Sequence, residues 1–180
     1  MSRKLMALSA LLMVGMFASL SWAEKGQGAN TIINPADRSF IIKAAQGSMA
    51  EVELGRLATQ KGSNEAVKSF GQHMVDDHSN INNELSQLAS KKRINVPKDI
   101  DPQHKAVENR LSKLSGDQFD KAYIDEMVKD HQKNVTVFQK VSTQTTDPEL
   151  KAWIDKKLPT LQEHLRMAQD IQKTMKNRSK

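Results

Sequence analysis

The chain has 180 residues and a net charge of +6, with no cysteine and only 4% aromatic residues. The missing cysteine rules out disulfides, thiolate metal sites, a thiol nucleophile and lipoprotein acylation. Sparse aromatics and short β-branched runs argue against a sheet protein, and the basic residues form no concentrated stripe with aromatics, so no nucleic-acid partner is expected.

Residues 1–23 read as a signal peptide. Arg3 and Lys4 supply a positive start, residues 5–20 are apolar, and Ser21-Trp22-Ala23 places small residues at −3 and −1 before Glu24. The apolar run is short for a bilayer span. The expectation is therefore cleavage after Ala23, a periplasmic or secreted address, and no stable membrane span afterwards. Residues 24–34 form a flexible leader, and residues 35–176 form the single folded domain, a size that suits one core.

Four long helices and one short one are expected. Asn34, Pro35 and Asp37 make a clean start for the first, which stops at Gly62. Its small residues Ala44, Gly47, Gly55 and Ala58 invite a close neighbour. The second runs from Ser63 or Asn64 to about Lys92, with Val67, Phe70, Met74, Ile81, Leu85 and Leu88 on one stripe. A linker with two prolines leads to a short helix over 102–114. The third long helix follows a Ser115/Gln118 capping box and carries Phe119, Tyr123, Met127, Val135, Phe138 and Val141 on its apolar side. The fourth opens on Asp147-Pro148-Glu149 and contains Pro159, which should bend or open it. The fold class is all-α: an antiparallel four-helix bundle with an extra short helix.

One internal repeat carries weight. Met74-Val-Asp-Asp-His78 matches Met127-Val-Lys-Asp-His131, each with an aromatic four residues upstream, Phe70 and Tyr123. His78 and His131 fall on their helices' apolar stripes, with Met74 and Met127 one turn away on the same faces. Glu51 and His164 take seam positions on the first and last helices. One carboxylate and three imidazoles, one from each long helix, could build a metal site in a bundle core. Imidazole suits Zn, Cu and Fe, and the methionines add a soft preference for copper. The candidate ligands are Glu51, His78, His131 and His164, with Met74 and Met127. The competing reading is a buried polar network in which a carboxylate such as Glu51 or Asp77 bonds the imidazoles. Glu53, His73 and His104 read as solvated-face residues.

The blocks Ala50-Glu-Val-Glu-Leu-Gly-Arg-Leu-Ala58, Phe70-Gly-Gln-His-Met-Val-Asp-Asp-His78, the stretch from Phe119 to His131, and Leu158-Pro-Thr-Leu-Gln-Glu-His-Leu165 together resemble one family. It is the bacterial domain-of-unknown-function family 4142, whose members are often described as exported or outer-membrane proteins. The resemblance covers about residues 36–175 and implies a ferritin-like four-helix bundle without implying an activity. The Glu-x-x-His pattern of ferritin-like di-iron enzymes is missing, since Val75, Val128 and Leu161 stand three residues before the histidines. Three readings follow: an exported bundle holding a metal ion in its core; an envelope-stress or protein-interaction bundle, partnered by an envelope protein and without enzymatic activity; and a di-iron redox protein.

Overall fold

A computed structural model describes residues 33–178. The expected signal peptide and nearly all of the leader lie outside the described residues. Of the leader, Ile33 is buried in the core and Asn34 caps the first helix.

The capping chemistry sets most helix boundaries. Helix α1 is Pro35–Lys61: Asn34 accepts from the Asp37 N–H, and Pro35 opens the first turn. Helix α2 is Glu65–Lys91 and starts on Asn64. Its exit is a Schellman-type turn in which Arg93 adopts φ 55° and the Ile94 N–H donates to the Ala89 carbonyl. Helix α3 is Pro102–Leu111, three residues shorter than expected, and is capped by Asp101. Helix α4 is Gly116–Gln144. The expected capping box does not form: Ser115 makes no side-chain cap bond, and Gly116 enters at φ +57°, a turn suited to glycine. Helix α5 is Pro148–Arg178, started by Asp147, which accepts from the Glu149 and Leu150 N–H groups. It runs without a break through Pro159, which faces solvent, where an unmatched carbonyl is cheapest.

The long helices form a ring of neighbours, α1 beside α2, α2 beside α5, α5 beside α4 and α4 beside α1, with α3 laid against α1 and α4. All four neighbouring pairs are antiparallel. The second and third long helices, α2 and α4, are not neighbours, as a simple up-down order would make them. They are parallel and diagonal, because the 92–101 linker and α3 carry the chain back along the bundle, the single long crossover of ferritin-like folds. The α1–α2 pair crosses closely at its small residues. A Cβ on Gly55 would sit 2.6 Å from the Gly71 carbonyl oxygen, and one on Gly71 would sit 2.6 Å from the Ala58 Cβ.

The interior is two apolar clusters rather than one. The first holds Phe40, Ile41, Leu85, Leu88, Phe138, Leu150, Trp153, Ile154 and Leu161. The second holds Leu54, Val67, Phe70, Met74, Leu111, Phe119, Tyr123, Ile124, Met127 and Ala168. Between them, at one height, every long helix contributes a buried polar residue: Ser48 and Glu51 from α1, His78 from α2, His131 from α4 and His164 from α5. The size that suits one core holds two instead: this layer separates Phe70 and Met74 from Phe138 and Leu161.

Candidate metal centre

The diagonal, parallel placement of α2 and α4 brings the two copies of the repeat to the same level. Phe70 and Tyr123 meet edge to face with ring centroids 6.2 Å apart, and His78 and His131 do the same at 5.9 Å. His164 completes a triangle, 5.4 Å from each. One nitrogen from each ring lies within 4.8 Å of those from the other two.

Each imidazole is held by one hydrogen bond, and for His131 and His164 the partner can only accept, which fixes the tautomer. His131 Nδ1 lies 3.0 Å from the Met127 carbonyl oxygen, which can only accept, so Nδ1 carries the proton. The Ser48 hydroxyl lies 3.1 Å from both the His78 carbonyl oxygen and His78 Nδ1; donating to the carbonyl, it accepts from Nδ1 and leaves Nε2 as the lone pair. His164 Nε2 donates to Asp77 at 2.9 Å. The remaining nitrogens, His78 Nε2, His131 Nε2 and His164 Nδ1, are buried and have no partner among the described residues. A second-layer bond on one nitrogen and a free lone pair on the other is the arrangement of metal-ligating histidines.

The electrostatics keep the rings neutral. Burial lowers the pKa of His78 well below the ordinary range, and the charges of His131 and His164 add to this. Burial, then His164, brings His131 down to about 4. For His164 burial also lowers the pKa, and the Asp77 carboxylate opposes it.

Glu51 stands at the edge of the set, its nearest oxygen 4.0 Å from His131 Nδ1. Burial raises its pKa well above the carboxylate range, and Asp130 and Glu126 raise it further. It faces the buried Tyr123 hydroxyl, whose own pKa burial pushes up. Met74 and Met127 are fully buried in the second apolar cluster, one turn from their histidines. Among the residues expected on solvated faces, His73 is exposed and Glu53 pairs with Arg56. His104 is half-buried, because its ring closes onto Asp101 within the α3 cap. Ser48 was not anticipated as part of the site. Its signal was a hydroxyl on a buried stripe, three residues before Glu51.

Residues 23–171 match the family described as Domain of unknown function (DUF4142). The chain belongs to this family. Among solved structures, it is similar to a DUF305 fragment from Deinococcus radiodurans, at 15% identity and a TM-score of 0.70, covering 79% of this chain and 98% of that one. It is also similar to CopM in its Cu(II)-bound form, at 18% identity and a TM-score of 0.65, covering 77% of this chain and 96% of that one. These identities establish a shared bundle fold. No curated protein matches the sequence.

Proposed function

We propose that this is an exported metal-handling protein that holds one copper ion on His78 Nε2, His131 Nε2 and His164 Nδ1. The observation that carries the reading is the set of three buried nitrogens without partners among the described residues, each ring held from behind by a bond on its other nitrogen. A structural network would have to satisfy them with protons, yet all three rings are held neutral. A buried water has two hydrogens for three acceptors, whereas a single cation meets all three. Three nitrogens on one ion at about 2.0–2.1 Å lie roughly 3.3–3.6 Å apart, so closing the triangle asks for about 1 Å of ring movement.

Copper is favoured over zinc by the affinity order of nitrogen sites for divalent ions, and by the thioethers of Met74 and Met127 one turn below. The copper-bound fold neighbour points the same way. Asp130 bears on the site as a negative charge, acting on His131. Three protein ligands leave a coordination position open, as suits a carrier or a scavenger. The Arg3–Lys4 start, the apolar run and Ser21-Trp22-Ala23 support export. Among the described residues no helix is long and apolar enough to cross a membrane.

The test is elemental analysis of protein purified from the periplasm without a metal-affinity tag. One copper per chain is expected, lost in His78→Ala and in His131→Ala. A metal-free wild-type chain, or copper retained by both variants, overturns the reading.

A further inference from the structure

The groups that hold the three imidazoles differ in their access to water. Ser48 and Met127 are buried, at 5% and 0% exposure. Asp77, which holds His164, has a side chain 44% exposed. The imidazole shell therefore meets solvent at the α2–α5 seam.

The repeat makes the asymmetry sharper. Asp77 on α2 corresponds to Asp130 on α4, and four residues before each stand His73 and Glu126. Glu126 is only 17% exposed and is tied to Arg110 of α3 at 2.6 Å, so the crossover helix covers the α4 position. His73 is exposed and has no such cover. It shares a helix face with Asp77, whose carboxylate holds His164 Nε2 at 2.9 Å. An imidazole and a carboxylate at i and i+4 on one helix can chelate a divalent ion.

We propose that His73 and Asp77 form an outer station that takes a divalent cation from solvent and passes it to the triad through His164. When His164 releases Asp77, the carboxylate is free to bind the ion beside His73. As His164 turns back, it carries the ion to His78 and His131, and its Nε2–H returns to Asp77. The inference rests on the copper reading of the triad.

The experiment is stopped-flow mixing of the mature chain with aqueous Cu(II), followed by absorbance, and the reverse release to EDTA. A relay speeds both directions, so His73→Ala should slow loading and release by the same factor, about ten-fold, as expected for one lost contact in the limiting transfer. His73→Asp should restore much of the rate by returning a ligand. Loading of His73→Ala at the wild-type rate overturns the inference while leaving the triad intact. Release that quickens while loading holds makes His73 a resident ligand and also overturns it. A wild-type chain that takes up no copper removes the triad reading, and this inference with it.

Discussion

The ends of the bundle and its middle treat buried polar groups in opposite ways. At one end Asp120 is buried yet accepts from the Ser63 hydroxyl and from the Ser63 and Asn64 N–H groups. At the other, Asp147 caps α5 and pairs with the half-buried Lys92, while Asp37 binds Asn34 and Thr145. These charged groups are satisfied and tie helix ends together, although Trp153 Nε1 in the first apolar cluster has no partner among the described residues. In the middle, Glu51, His78, His131 and His164 each keep a buried atom without a partner among the described residues. Unsatisfied buried polar atoms cost stability, and four from four helices at one level form a pattern that packing alone does not produce. The ends tie the helices together, and the middle brings together three histidines that could hold a metal ion.

The largest stability effect should come from the apolar half. Phe138 packs against Phe40 at 5.0 Å and Trp153 at 5.8 Å. Phe138→Ala should cost about 3–5 kcal/mol in urea unfolding while leaving copper stoichiometry at the wild-type value. A loss below about 1 kcal/mol would mean that this half does not carry the fold.

The middle should reveal itself through pH. His131 takes a proton at its ordinary pKa in the unfolded chain but resists it when folded, so protons favour unfolding. The metal-free protein should therefore lose stability as pH falls from about 6.5 to about 4, by on the order of 3 kcal/mol from His131 alone. Glu51 has the opposite sign, because its raised pKa makes its stabilising contribution fade as pH rises above the ordinary carboxylate range. Glu51→Gln should remove that opposition and steepen the rise of stability with pH. A profile flat from pH 4.5 to 7, in both proteins, contradicts this assignment.

The smallest effect separates the two regions most finely. Ser48→Ala removes the Nδ1 partner of His78 and should cost only about 1 kcal/mol of stability. It should nonetheless weaken copper binding roughly 10–100-fold, as loss of a second-layer partner does. Equal, small effects on both quantities would make Ser48 an ordinary buried hydroxyl.

Local chemistry made much of this legible in advance. Asn34–Pro35, Gly62 and Asp147–Pro148 mark helix limits through groups that act within a few residues, and the structure follows them. The Met-Val-x-Asp-His repeat announced two histidines on buried stripes at matching positions. Relations set by tertiary geometry were not legible. Nothing in the linker from Arg93 to Asp101 says that the chain returns along the bundle, so the diagonal pairing of α2 and α4 could not be read from it. Ser48 carries no motif and is defined by its contact with His78, 30 residues away. The Ser115 box had the right residues, but Gly116 turns the backbone differently.

The most direct measurement is X-ray absorption at the copper edge on the copper-loaded mature protein. The account predicts three imidazole nitrogens at about 2.0–2.1 Å, and one fewer in His164→Ala. A copper shell dominated by oxygen, or one that His164→Ala leaves unchanged, would contradict a site built on the three buried lone pairs.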